Sequence, residues 1–352
     1  MTQNAFAGLE SFRATALAQC FREEPLGFVD IGALGGVHRV VDPIAEFVHA
    51  LCFEPDPQGF EALKATYSSP KPYAGVSLER VALARDSRVE RPLHVCAAPT
   101  NSSLLEPNPV FVDRYRAVQF RPSHVINVGT TTLDEVVFSG RHAARFGEFL
   151  KLDTQGSEYE VLQGASRVLR ERCVAILCEV EFFEVYREQK TLADIIHLLR
   201  GHGFALYALY PHYRSSGSID RRRLDTEERL MWADAVFFKD PLDDPKVAAH
   251  FAPRSVNALL LCALAMRFYD FALELSARFI ADPAERERLA DAARTRARAD
   301  RDEVLAHYLR VKEEVRGSGD FLKLAEFMEA HRSNSSTERV RSATPRAGEG
   351  GA

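Results

Sequence analysis

The chain has 352 residues, 46% apolar and 27% charged, with Lys+Arg 45 against Asp+Glu 50 and a net charge of −5. Totals of this kind describe a globular protein with room for one sizeable core plus a smaller module. They exclude a strongly basic field that would hold a phosphate backbone, so nucleic acid is not an expected partner.

No run of 18 or more uninterrupted apolar residues occurs, and the first residues lack a basic head leading into a long apolar core. A cytoplasmic protein without a membrane span is therefore expected. The six cysteines are scattered, with no CxxC pair, which argues against both disulfides and zinc.

In chain order, Leu9, Phe12, Ala16, Leu17 and Cys20 recur at helical spacing and predict a leader helix within residues 1–26, packed on the main domain. "GFVDIG" is an apolar run into a glycine turn, "HRVVDPIAEFVHA" can be helical despite Pro43, and "ALCFEPD" is a second apolar run ending in an acid. "PQGFEALKATY" predicts a helix with Pro57 in its first turn. "VSLERVALA" and "ERPLHVCAA" predict a strand and its hairpin partner. The Pro-, Asn- and Ser-rich stretch from Pro99 to Pro122 predicts a long loop carrying one short helix, and "SHVINVGTTTLDEVV" adds an extended piece.

Then "FGEFLKLD" predicts a strand, "SEYEVLQGASRVLR" a helix, "CVAILCEVEFF" a strand, "TLADIIHLLRGHG" a helix, "FALYALY" a strand and "MWADAVFFK" a last strand. Strands that are continuous apolar runs, alternating with helices, indicate an α/β fold with a largely parallel sheet covered on both faces, here over residues 27–245. Beyond about Phe251 strand signals cease. "VNALLLCALAMRFYDFALELSARFI" predicts one apolar helix, and Asp282, Pro283 and Glu285 mark the start of a long charged one. Residues 251–331 are expected to form a helical hairpin or bundle, followed by a disordered polar tail over 332–352. Leu259, Leu260, Ala263, Met266, Phe271 and Leu275 are too apolar for a free helix; docking on the main domain or a homodimer through these helices would cover them.

Chemistry concentrates at the strand ends. Asp30 stands in "VDIGALGG", a turn that is not GxGxxG. A carboxylate there repels a pyrophosphate and suits a ligand with an ammonium or a sulfonium, and S-adenosylmethionine carries both. Glu54 lies 24 residues beyond Asp30 at the end of the second strand, placed to accept two hydrogen bonds from a ribose diol, as in NAD or S-adenosylmethionine. A solvated strand-end acid is the plainer alternative.

Asp153 ends "FLKLD" at the carboxyl edge of a central strand, where open α/β sheets bind ligands. Gly156 permits a close turn, Ser157 or Thr154 can cap the helix that follows, and Glu158 suits that helix's first turn. Glu179 and Glu181 share one face of the next strand. With Asp153 they can form an acidic wall that takes a proton from a hydroxyl or holds a divalent cation such as Mg2+, or they can pair with Lys151 or Arg187. His38, His94 and His124 lie nearest this edge without metal-ligand spacing, and "NSSLL" at Asn101 to Leu105 offers loop hydroxyls.

Together these residues resemble the FkbM-like family of S-adenosylmethionine-dependent methyltransferases, over about Gly27 to Lys239. "FLKLDTQGSEYEVLQGA" is the most specific piece, with "FVDIGALGG", "CFEPDP", "NSSLL", "TTLDEVV", "ILCEVEFFEVY" and "ADAVFFK" in the expected order around it. The resemblance implies a Rossmann-like, seven-stranded class I methyltransferase sheet whose last strand lies antiparallel between its two predecessors, with a C-terminal α-helical extension beyond the resemblance. It implies cofactor contacts at Asp30, Gly32, Ala33, Glu54, Pro55, Ala82, Ser102 and Asp153, and catalytic roles for Asp153 and Glu179. Gln155 departs from it, since an acid is frequent before the glycine.

The implied reaction is O-methylation of a small-molecule or glycan hydroxyl, on a sugar or a secondary metabolite. Two alternatives share the sheet. An NAD-dependent oxidoreductase or epimerase would want GxGxxG and a Tyr-x-x-x-Lys pair, which are absent from the right places. A non-catalytic cofactor-binding scaffold would keep Asp30 and Glu54 without the acids near the methyl.

Overall fold

A computed structural model describes residues 9–69, 72–140, 142, 145–216 and 228–318. The leader is two helices rather than one, α1 (Leu9–Arg13) and α2 (Ala16–Glu23). Thr15 Oγ1 accepts the Ala18 N–H at 3.0 Å and so caps a second helix where helical spacing alone predicts continuity. Strand β1 (Leu26–Ile31) follows. The segment Arg39–Phe47 is a tight 3₁₀ stretch kinked at Ile44, next to Pro43. Its expected last turn, Val48 to Ala50, instead opens strand β2 (Val48–Phe53).

Helix α3 (Pro57–Thr66) begins where Asp56 accepts the Gly59 N–H at 2.8 Å. "VSLERVALA" is not one strand with a hairpin partner. It divides into β3 (Gly75–Glu79), parallel to β2, and β4 (Ala82–Leu83), which belongs to a second sheet. That second sheet has the order β4-β6-β5, with β5 (Glu90–Cys96) antiparallel to β6 (Pro122–Thr131). The loop before β6 carries the short helix α4 (Pro109–Arg114).

Helix α5 (Leu133–Phe138) leads to β7 (Phe149–Leu152), α6 (Glu158–Gln163), α7 (Ser166–Glu171) and β8 (Ala175–Glu181). Then come α8 (Leu192–Gly201), β9 (Phe204–Arg214) and β10 (Arg229–Lys239). The main sheet has seven strands in the order β3-β2-β1-β7-β8-β10-β9. It is parallel except for β10, which runs antiparallel between β8 and β9. Every residue of β1 and β7 is buried, which is why those strands read as continuous apolar runs. Hydrophobic cover comes from Val137, Val161, Leu162, Val168, Leu169, Ile195 and Leu199 of the intervening helices.

Short helix α9 (Pro245–Ala248) precedes α10 (Pro253–Ala265), α11 (Tyr269–Phe279) and α12 (Pro283–Ser318). The single apolar helix expected after residue 253 is thus two. Arg267 takes a left-handed backbone, φ 65°, and the Phe268 N–H reaches the Ala263 carbonyl at 2.8 Å while the Arg267 N–H reaches that of Leu264 at 3.2 Å. This pair of bonds closes a helix, ordinarily with glycine at the left-handed position. Leu259, Leu260, Ala263, Met266, Phe271 and Leu275 are all buried within the single chain. No described helix is long and apolar enough to cross a membrane, and none of the six cysteines is in a disulfide. The expected tail over 332–352 lies outside the described residues.

The chain divides into two units. In the described chain, one comprises residues 9–25, 38–47 and 260–318. Its pieces are joined by a Phe12–Phe47 edge contact at 5.4 Å, an Arg13–Glu46 ion pair at 2.7 Å, and the Leu17 N–H donating to buried Glu285 at 3.2 Å. The other, residues 26–37 and 48–259, holds both sheets.

Glu148, at the start of β7, ties three elements of this second unit. Its Oε2 accepts the Gly27 N–H at 2.8 Å, and both its oxygens take Arg254, at 2.6 and 2.8 Å. Breaking a buried, bidentate pair leaves the partner uncompensated. Glu148→Ala is expected to destabilise the protein by about 3 kcal/mol or more, read as a lowered urea midpoint.

Candidate functional site at the carboxyl edge of the sheet

Strands β1 and β7 are parallel neighbours with Asp30 opposite Lys151. Opposed residues project to the same face, so carboxylate and ammonium meet on one side of the sheet, Lys151 Nζ to Asp30 Oδ1 at 3.3 Å. Both side chains are buried, Asp30 completely and Lys151 to 7% exposure. The same Nζ donates to the Gly32 carbonyl at 3.2 Å and lies 3.7 Å from Asp153 Oδ2. Burial opposes the ammonium charge, but Asp30 and Asp153 outweigh it and hold Lys151 above its ordinary pKa.

Asp30 therefore does not offer the open charge expected for a ligand ammonium; Lys151 already balances it. Gly32 is required by this arrangement. It has φ 83°, and a Cβ there would come within 1.9 Å of the Asp153 carbonyl oxygen.

Glu54 follows β2 and is 5% exposed, its Oε1 accepting the Asp56 N–H at 2.9 Å. Burial pushes its carboxyl up to about 7. Ala33 is buried and donates its N–H to the Phe53 carbonyl at 3.1 Å, so the Gly32 turn is tied to the end of β2. Pro55 is half-buried beside Glu54. Ala82 is buried in β4 of the smaller sheet, paired with Thr130.

The turn after β7 gathers the acids. Gln155 has a left-handed backbone, φ 58°, and its Nε2 donates to Asp153 Oδ1 and to Glu179 Oε2, both at 2.7 Å. Its Oε1 lies 2.8 Å from the Tyr186 hydroxyl, which also lies 2.9 Å from the Asn101 carbonyl. Its main-chain carbonyl accepts Ser103 Oγ at 2.7 Å. Glu158 does more than suit a helix dipole: its Oε1 accepts the Thr154 N–H at 2.6 Å and its Oε2 the Gly156 N–H at 2.9 Å, folding back over the turn. Burial pushes Glu158 up to about 7.

Asp153 is the open member of the group, at 38% side-chain exposure. Glu179 is driven well above the ordinary carboxyl range by burial and then by the Asp153 charge. Glu181 is driven the same way by burial and Glu158, and its Oε2 is buried with no hydrogen-bond partner among the described residues. Of the salt-bridge partners weighed for these acids, Lys151 sits beside Asp153, whereas Arg187 pairs with Glu106 at 3.3 Å.

Several expected contributors stand elsewhere. Ser102 Oγ accepts the Cys96 N–H at 3.2 Å, and its neighbour Ser103 is the hydroxyl that reaches the turn. His38 Nδ1 accepts the Val40 N–H at 3.3 Å, His94 pairs with Ser103 through its backbone, and His124 is exposed beside Ser123. Among the described residues, no group of three or more His, Cys, Asp or Glu side chains is arranged to hold a metal ion. Lys151 and Gln155 are the residues at this edge that spacing undervalued. The Lys-x-Asp step puts Lys151 and Asp153 on one strand face, a signal that was present. Tyr186 meets Gln155 and the Asn101 carbonyl only through the fold.

Lys151→Met is expected to cost about 3 kcal/mol or more, because it strands Asp30 as a buried charge. Asp30→Asn combined with Lys151→Met is expected to regain most of that loss, as measured by denaturant unfolding of both variants.

The family described as the methyltransferase FkbM domain matches residues 30–206, just over half of the chain. No curated protein matches the sequence. Among solved structures, methyltransferase FkbM from Methylobacillus flagellatus KT is 13% identical with a TM-score of 0.35, over 61% of this chain and 43% of that one. This chain thus spans less than half of that protein's length. Magnesium protoporphyrin IX methyltransferase from Synechocystis PCC 6803, solved with bound SAM, is 9% identical with a TM-score of 0.30, covering 66% of this chain and 79% of its own. The 1,6-didemethyltoxoflavin-N1-methyltransferase of Burkholderia thailandensis, solved with S-adenosylhomocysteine, is 9% identical with a TM-score of 0.29, covering 66% and 83%. By the domain match, placed on a sheet of the expected strand order, the chain belongs to the FkbM methyltransferase family.

Proposed function

We propose that the protein is an S-adenosylmethionine-dependent O-methyltransferase acting on a hydroxyl of a sugar, a glycan or a secondary metabolite. The observation that carries this reading is the pairing of a buried acid at the end of β2, Glu54, with an open carboxylate at the end of β7, Asp153, on either side of the Gly32 turn. Six cysteines outside any disulfide suit a reducing cytoplasm as its place of action.

The donor set fits the cofactor at its ribose end. Glu54 keeps one oxygen on the Asp56 N–H and has remaining lone pairs for a diol. At the amino acid end the acid is Asp30, and because Lys151 neutralises it, Asp30 acts by holding the Gly32 turn in place. When bound, S-adenosylmethionine supplies an electrophilic methyl carbon, and the acceptor oxygen bonds to that carbon as the carbon–sulfur bond breaks. The chain's own task is to orient the acceptor and take its proton. Asp153 fits that task because it is exposed, while Lys151 and Gln155 fix the carboxylate from both sides. Glu179 holds its proton to higher pH and lies behind Gln155, so it supports Asp153 and does not compete with it.

Calorimetric titration with S-adenosylhomocysteine is expected to give one site per chain, and absence of binding overturns the cofactor assignment. Because a diol donates to the ionised carboxylate, affinity is expected to rise as pH rises through about 7. Glu54→Gln should abolish that rise and weaken binding about tenfold on its alkaline side. Asp153→Asn should lower kcat about a hundredfold on any acceptor the wild type methylates, a far larger effect than on S-adenosylhomocysteine affinity.

Glu54 also links stability to pH. Its folded pKa lies above the unfolded one, so its stabilising contribution is complete below about pH 4.5 and is lost as pH rises through about 7. The melting temperature of the wild type relative to Glu54→Gln should therefore fall over that interval.

A further inference from the structure

Asp153 and Glu179 project toward each other across the ends of β7 and β8, the kind of facing carboxylates that hold a divalent cation when their lone pairs are free. Here one side-chain amide fills the space between them. Gln155 Nε2 carries two hydrogens, and each is directed at one of the two carboxylates at 2.7 Å. The orientation of that amide is fixed chemically. Turned over, it would set its oxygen against the Asp153 carboxylate and leave that carboxylate without its amide donor. The backbone is fixed as well, by the Ser103 hydroxyl on the Gln155 carbonyl and by Glu158 on the flanking Thr154 and Gly156 N–H groups. On the far side of Asp153 the second oxygen faces Lys151, a buried cation.

We propose that Gln155 is a positioning residue that takes the place of a metal ion: it holds Asp153 and Glu179 as a facing pair by hydrogen bonds and makes the site independent of divalent cations. A cation entering between the two acids would have to displace both amide hydrogens and would meet Lys151 behind Asp153. The proposal takes from the proposed function only the identity of the reacting pair, and its test needs neither cofactor nor acceptor.

The test is Mn2+ binding to the full chain, followed by the electron paramagnetic resonance of free Mn2+. The wild type is expected to bind none that Asp153→Asn or Glu179→Gln removes. Gln155→Glu, which replaces the two donors by a third carboxylate, is expected to bind Mn2+ at least about tenfold more tightly than the wild type, and adding Asp153→Asn should abolish the gain. Binding by the wild type that depends on Asp153 and Glu179 overturns the proposal, and that measurement stands even where the variant fails to fold. A folded Gln155→Glu protein that gains no Mn2+ overturns it too, because the amide would then not be what keeps the cation out. Neither outcome bears on whether S-adenosylhomocysteine binds.

Discussion

A buried ammonium must be surrounded by compensating oxygen atoms, and the edge of this sheet is organised around one. Lys151 is inside the protein, and its Nζ is met by Asp30 of β1, by the Gly32 carbonyl in the turn after β1, and by Asp153 after its own strand. Stranding either charge of such a pair costs several kcal/mol. The pair is also a register lock. A slip of β7 by one residue would send Lys151 to the opposite face and bring Leu150 or Leu152 against Asp30. The two central strands are thereby held so that the Gly32 turn lies against the Asp153 carbonyl, a contact closed to any residue with a side chain.

From that fixed point the turn over residues 153–158 follows. Its backbone N–H groups at Thr154 and Gly156 fall on Glu158, a carboxylate supplied by the first turn of the next helix. With the main chain held this way, the Gln155 side chain can span from β7 to β8 and meet Tyr186, which lies beyond β8. The loop that follows β5 is attached to this pair, Ser103 donating to the Gln155 carbonyl and the Asn101 carbonyl accepting from Tyr186. One residue in an uncommon backbone conformation thus joins the central sheet to the loop above it, a placement that strain at functional sites often marks.

Much of the architecture was legible because the relevant signals are local. Continuous apolar strands separated by helices require a sheet covered on both faces, and β1, β7 and β8 are buried in that way. Asp153 and Glu179 were legible because acids at strand ends fall on the edge where such sheets bind ligands. The misses have the opposite character. Arg267 breaks a helix with a left-handed backbone that glycine usually signals, and "VSLERVALA" divides between two sheets because strand partners are distant in sequence. Asp30 reads from the sequence as a carboxylate suited to a ligand ammonium, because no spacing rule shows that a lysine 121 residues later lies opposite it.

The same geometry explains why two acids facing one amide do different work. Glu179 lies on β8, shielded by Gln155, and both burial and the Asp153 charge favour its protonated form. Asp153 has a cation on one oxygen and an amide donor on the other, and more than a third of its side chain is open. For the proposed removal of a proton from a hydroxyl, a carboxylate has to be both reachable and held still, and of the two acids facing the Gln155 amide it is Asp153 that combines these. Glu179 gives Gln155 a second acceptor, so the amide that holds Asp153 is itself anchored at Glu179 and Tyr186. The buried acid thus helps to keep the exposed one in place.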